Sequence, residues 1–212
     1  MPGMKLPIVA EIAKNTYAIN EFGMSAMYLL IGTKRALLID TGTGAADLKK
    51  LVEEMTDHPC DVALTHSHLD HIGGAMYFPR VYLSKADQTF LWSSLDEELS
   101  ELPDVPRELS PQEREKAGLK CLQASCRQYA EYLGRCGSYD VFDYCPENIP
   151  LFEHFPEFLD LEEGMAFDLG DRLVRVIATP GHTPGGRSFI DEQSPDSAGK
   201  YSTACRCRQG QR

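Results

Sequence analysis

The sequence predicts an α/β fold in which a sheet is covered by helices on one face, as in one half of an αβ/βα sandwich, and three observations carry that prediction. Short apolar or alternating runs recur at residues 8–19, 26–31, 36–39, 61–64 and 81–84, each of strand length. Helical spacing appears between the later runs, as at Leu48, Leu51, Val52 and Met55, so strands and helices alternate along the chain. Two histidine- and glycine-rich segments each leave an apolar run directly, which puts polar loops at strand ends.

In chain order, residues 8–19 read as a strand pair broken near Lys14 and Asn15. Residues 26–31 and 36–39 are apolar runs separated by Gly32-Thr33-Lys34-Arg35, a hairpin signal. Asp40-Thr41-Gly42-Thr43-Gly44 closes the second run and imitates the start of a dinucleotide fingerprint. Asp47 stands where the third glycine belongs, so a Rossmann site is rejected. Residues 45–55 form an amphipathic helix, residues 61–64 and 81–84 strands, and residues 85–95 a helix.

From residue 96 to about 158 the character changes to an insertion. Glu97, Glu98, Pro103, Pro106 and Pro111 make a polar linker, with Ser110 capping a helix that opens at Pro111. Leu119, Leu122, Cys126, Tyr129 and Leu133 follow at spacings of three and four, a helical apolar stripe. Tyr139, Phe142, Tyr144, Phe152, Phe155 and Phe158 then form an aromatic segment for which packing and a substrate lid are both open readings. Residues 165–169 and 172–178 are strands around Gly170-Asp171, and 188–191 is a last short strand.

Composition narrows the function classes. A chain of 212 residues, 42% hydrophobic and 25% charged, supports one globular domain with a sizeable core and an insertion. A net charge of −11 and a pI near 5.0 disfavour nucleic-acid binding, which draws on a basic face. No stretch reaches the ~20 consecutive apolar residues of a membrane helix, and Met1-Pro2-Gly3-Met4-Lys5 leads into no apolar signal core; a cytoplasmic protein acting on a small molecule is the expectation. The oligomeric state is left open, a dimer included. Seven cysteines, without a C-x-x-C pair, read as free thiols of a reducing compartment; the spacing of Cys121, Cys126, Cys136 and Cys145 fits no zinc ribbon.

The chemistry is concentrated in Thr65-His66-Ser67-His68-Leu69-Asp70-His71-Ile72-Gly73-Gly74, which holds three of the six histidines. In an extended segment His66 and His68 project to the same side and can meet one ion. Asp70 and His71 turn back toward a second ion, with Gly73-Gly74 allowing a tight backbone fold behind them. The first ion needs a third nitrogen, and His182 in Thr179-Pro180-Gly181-His182-Thr183-Pro184-Gly185-Gly186 is the candidate. Imidazoles and a carboxylate that leave a position open are the makeup of a catalytic zinc site. His58 and His154 are isolated and read as surface or core histidines.

With T-H-x-H-x-D-H-x-G-G and T-P-G-H-T-P-G-G about 110 residues apart, the chain resembles the metallo-β-lactamase fold superfamily of metallohydrolases. The resemblance implies a four-layer αβ/βα sandwich over residues 1–196, incomplete at the C-terminus, with the mainly helical insertion at about 96–158. It implies zinc, one ion or two, with iron or manganese as alternatives: His66, His68 and His182 on the first, Asp70 and His71 toward the second. Asp40 would support the metal loop from its strand end. Zinc-bound water acidified to hydroxide would attack an ester, thioester, lactone or phosphoester, with Asp70 the catalytic residue that orients the nucleophile and takes part in proton transfer. His68, where the di-iron flavoprotein branch has a carboxylate, makes redox chemistry the lesser reading, and a glyoxalase II-like thioesterase is a reasonable guess.

The sequence departs from the superfamily near its end. A Gly-Asp whose carboxylate bridges two metals, and a later histidine, have no counterpart, since residues 199–208 contain no aspartate. Residues 197–212 carry +4 against −15 for the rest, and are expected to be a divergent, disordered tail, truncated or out of frame. Asp191 and Cys205 are weak substitutes. The competing expectation is a non-catalytic metal-binding or inactive fragment.

Overall fold

A computed structural model describes residues 4–103, 105–106, 108–136 and 146–192. The chain runs through β1 (Ile8–Ala13), β2 (Thr16–Asn20), β3 (Ala26–Ile31), β4 (Ala36–Ile39), α1 (Leu48–Met55), β5 (Cys60–Ala63), α2 (Leu69–Ile72), a 3-10 turn (Gly73–Tyr77), β6 (Arg80–Leu83) and α3 (Lys85–Glu101). It continues through α4 (Pro111–Cys136), a short 3-10 turn (Pro146–Asn148), β7 (Glu157–Asp160), β8 (Ala166–Asp168), β9 (Leu173–Ala178) and β10 (Arg187–Asp191). Strands β1 to β7 form one sheet in sequence order, antiparallel up to β4 and parallel from β4 to β7. The antiparallel sheet β10-β9-β8 is the second.

Strand alternation explains why the large sheet has two covered faces. Leu29, Leu38, Val62, Val81 and Leu83 point into one core, where Leu48, Leu51 and Val52 of α1, Leu91, Leu95 and Leu99 of α3, and Leu119 and Leu122 of α4 meet them. Their neighbours Leu30, Leu37, Ile39 and Ala63 point the other way, onto Phe167, Val174, Val176 and Phe189 of the small sheet. The layers are therefore helix, sheet and sheet, three of the four that the sandwich calls for; an outer helical layer is not among the described residues. A third core joins Cys126, Ala130 and Leu133 of α4 to Phe22, Ala45 and Ala46, so α4 braces the loops that follow β2 and β4.

Several expected boundaries shift. Helix α1 starts at Leu48 rather than residue 45, because Asp47 caps it by accepting from the Lys50 amide and residues 45–46 belong to the loop beneath α4. Glu97 and Glu98 are not linker: α3 continues to Glu101, its Leu95 and Leu99 buried in the core. The cap at Ser110 is present, as a reciprocal pair in which the Ser110 amide donates to Glu113 and the Glu113 amide to Ser110 Oγ. Phe158 lies in β7, which pairs in parallel with β6, so the insertion returns to the large sheet before its expected end. Phe152, Phe155 and Phe158 pack against the helical core. Tyr139, Phe142 and Tyr144, Cys136's side chain and Cys145, and the tail 197–212 with Cys205, lie outside the described residues.

Gly73 and Gly74 matter for space rather than for backbone conformation. A Cβ on Gly73 would sit 2.1 Å from the Thr43 carbonyl oxygen, and one on Gly74 2.3 Å from that of Thr41. The loop after β4 and the loop after β5 thus lie backbone on backbone, with the Thr41 amide and hydroxyl both donating to the His71 carbonyl at 2.8 Å. From the other side the Glu21 carboxylate, 1% exposed, accepts from the Thr43 amide at 2.5 Å and the Ala46 amide at 3.0 Å. Burial pushes the Glu21 carboxyl up to about 7, those amide bonds only partly opposing it.

Two outcomes follow. Gly73→Ala should lower the unfolding free energy of the metal-free protein by about 2–3 kcal/mol in urea titrations, since the atom in the way is backbone. A carboxyl whose pKa is raised on folding stabilises most when protonated, so Glu21 should cost the native state up to about 3 kcal/mol as pH rises from near 4.5 through 7. Denaturant titrations of the metal-free protein at pH 5 and pH 8 should show that fall in the wild type and a smaller one in Glu21→Gln; equal falls would contradict the assignment.

Candidate metal centre

The candidate ligands gather at the carboxyl edge of the parallel strands, where an open α/β sheet presents its loops. Asp40 follows β4, the segment 65–71 follows β5, and His182 arrives from the other sheet, on the loop between β9 and β10. The Arg187 amide donates to the Thr65 carbonyl at 2.8 Å, bringing that loop across.

Asp40 organises the first loop. It holds a left-handed backbone (φ 63°) and is 3% exposed. Its Oδ1 accepts from the Thr65 amide at 2.7 Å, and its Oδ2 lies 2.8 Å from both Thr65 Oγ1 and His71 Nδ1. The Thr65 hydroxyl has a single proton, and an ionised carboxylate can only accept, so that proton goes to Asp40. Thr65 Oγ1 is then an acceptor for His66 Nδ1 at 3.0 Å, which places the proton of the neutral His66 ring on Nδ1. His66 Nε2 is left as a bare lone pair, fully buried and, among the described residues, without a hydrogen-bond partner. An orphaned acceptor of this kind is costly unless a Lewis acid meets it.

His68 and His182 complete the arrangement. One ligand atom from each of His66, His68 and His182 can be chosen so that all three lie within 4.8 Å of one another. His68 Nδ1 is 2.9 Å from His182 Nε2, and the His66 ring lies 4.9 Å from that of His68 and 4.8 Å from that of His182. Burial, and then the neighbouring imidazoles, push His66 down to about 3; burial and His182 lower His68 as well. Both rings are thereby kept in the neutral form that a metal requires. Three converging imidazole nitrogens, one of them an orphaned buried lone pair, fit a zinc ion.

Asp70 and His71 lie beside this group. His71 sits with Nδ1 on Asp40 and Nε2 3.4 Å from Asp70 Oδ2, its ring 4.0 Å from that of His66. Burial opposes the charge of His71, but the hydrogen bonds to Asp40 and Asp70 and their charges raise it to about 10. The hydrogen bond with His71 holds the Asp70 carboxyl below its usual range, against a smaller opposing effect of burial. Asp191 is engaged elsewhere, in an ion pair with Arg172. Two buried carboxylates went unremarked in the sequence: Glu21, which carries no local signature, and Asp87, whose only signal is the Ser84-x-x-Asp87 pattern of a helix start.

With this geometry in view, similarity to known proteins becomes informative. Residues 20–82 match the family model described as the metallo-beta-lactamase superfamily. Hydroxyacylglutathione hydrolase GloC of Haemophilus influenzae is 26% identical over 165 residues, covering 76% of this chain and 57% of that protein, so the chain spans little more than half of that relative's length. Among solved structures, the metallo-beta-lactamase GOB-18 of Elizabethkingia meningoseptica superposes with a TM-score of 0.53 at 22% identity, covering 95% of this chain and 62% of that one. MEM-A1, a subclass B3 metallo-beta-lactamase from a soil metagenome library, gives 0.53 at 16% identity over 91% and 60% of the two chains. Fold and motif agree with these matches: residues 20–82, which hold His66, His68, Asp70 and His71, match the metallo-beta-lactamase superfamily model, and the chain shares its fold with the solved metallo-beta-lactamases.

Proposed function

We propose that the chain carries a zinc-dependent hydrolase site cleaving an ester, thioester, lactone or phosphoester, with His66, His68 and His182 as ligands of one ion. The single observation that carries this reading is the buried His66 Nε2, which has no hydrogen-bond partner among the described residues and is gathered with two other imidazoles. When bound there, zinc supplies Lewis acidity and lowers the pKa of a water toward ~7. The chain's own groups do the rest. Asp40 and Thr65 fix the tautomer and aim of His66. Asp70, with its side chain 44% exposed at the rim and its carboxyl held below the usual range, can orient a nucleophile and hold a proton at a carboxylate oxygen. Asp70 and His71 together offer two donors for a second ion, zinc again, with iron or manganese as alternatives.

Room for a small-molecule substrate exists beside the site. A cleft of about 550 Å³ opens along Leu69, between the motif residues His68 and Asp70, and is lined by Met24, Ser125, Gln128, Tyr129 and Tyr132. The likeness to a protein named as a hydroxyacylglutathione hydrolase puts a thioester first in the assay order. The unpaired thiols of Cys60, Cys121 and Cys126 support a reducing, cytoplasmic setting, and no helix among the described residues is long and apolar enough to cross a membrane. A second reading, a metal-binding chain without turnover, is favoured by one observation: the Asp191 carboxylate is committed to Arg172 rather than turned toward the centre.

Purified chain assayed on thioester, lactone and phosphodiester substrates should turn over at least one class, lose activity to a chelator and regain it with zinc. His182→Ala should lower kcat/KM at least ~100-fold, and Asp70→Asn should lower kcat by roughly 10²–10⁴. Zinc bound without turnover of any class would establish the second reading instead.

A further inference from the structure

The chain contains a buried carboxylate that the proposed chemistry does not use. Asp87, in the first turn of α3, is 0% exposed. Ser84 caps this helix, its Oγ accepting from the Asp87 amide at 3.3 Å. In a capping box the side chain at the third helical position reaches back to the cap. Here the carboxylate reaches outward to two loops. Its Oδ2 accepts from the Ser67 amide at 3.0 Å and from Thr183 Oγ1 at 2.9 Å, and its Oδ1 from the Gly185 amide at 2.7 Å. Ser67 stands between His66 and His68, and Thr183 directly follows His182.

We infer that Asp87 is a positioning residue that fastens the loop of His66 and His68 to the loop of His182, so that the three imidazoles stay gathered. The inference rests on the proposed three-histidine metal site and adds the device that assembles it from two sheets. The three donors come from positions 20, 96 and 98 residues away, so one carboxylate closes a long-range junction. Its burial is tolerated because both oxygens are satisfied by hydrogen bonds. Gly185 is shaped to the same purpose: a Cβ there would lie 2.0 Å from Ser84 Oγ and 2.7 Å from Asp87 Oδ1, so only glycine lets the His182 loop seat on the start of α3. Asparagine at position 87 would keep the volume but present an N–H group to donors, losing bonds to one loop.

The test compares metal-free wild type, Asp87→Asn, Thr183→Val and Thr183→Ser by zinc competition against a chromophoric chelator and by the visible spectrum of the cobalt-loaded protein, with thermal unfolding of the metal-free forms alongside. Zinc affinity should fall about 10–100-fold in Asp87→Asn and severalfold in Thr183→Val, with altered cobalt spectra, while Thr183→Ser, which keeps the hydroxyl, should bind like wild type. A purely structural Asp87 would lower the unfolding temperature and leave the zinc affinity of folded protein unchanged. Wild type binding zinc, with Asp87→Asn and Thr183→Val within twofold of it, overturns the inference alone. Wild type that binds no zinc overturns the metal reading beneath it as well. Should Asp87→Asn not fold, the Thr183 pair decides by the same criterion.

Discussion

The bond network of the Asp40 carboxylate is the constraint on which the rest of the site depends. It sits at the end of the buried strand β4, in a left-handed conformation that a non-glycine residue adopts only when its surroundings hold it there. By taking the Thr65 amide and hydroxyl it fixes the start of the histidine segment that follows β5. Through that hydroxyl it sets which nitrogen of His66 carries the proton, and through His71 Nδ1 it anchors the far end of the same loop. A change at Asp40 would therefore reach two imidazoles at once without removing either of them.

Glu21, Asp40 and Asp87 share a design. Each is a carboxylate almost wholly removed from water, and each accepts from at least one backbone amide of a loop at the carboxyl edge of the large sheet. Loops carry backbone polar groups that helices and strands do not satisfy, and burying them requires partners. A carboxylate with four lone-pair positions serves several amides from one fixed point. Charge burial is the cost, visible where burial drives the Glu21 carboxyl upward. The layering supplies the fixed points, because β4, β5 and β6 are covered on both faces and their ends have little freedom.

Much of this was legible in the chain itself. Strands β3 and β4 fall on the apolar runs 26–31 and 36–39, because alternating residues must cover two cores and leave no polar position between. The histidines of the candidate centre were legible because their side chains have few other reasons to cluster, and the structure does gather His66, His68 and His182. Strand β7 was not, since Glu157-Phe158-Leu159-Asp160 is half polar and becomes a strand only by pairing with β6. The glycine pair was read correctly as a place of tight folding but for a different reason, the approach of a second backbone that no local pattern encodes. Asp87 looked like an ordinary helix-start residue because its partners lie up to 98 positions away.

In the proposed site the buried lone pair of His66 and the two imidazoles beside it hold one ion. Metal content per chain, by elemental mass spectrometry on wild type and His66→Ala purified identically, tests it most directly. Wild type should carry at least one zinc per chain, and the variant should lose that ion. A wild type free of metal after purification and zinc challenge, or a variant that retains the full content, would contradict it.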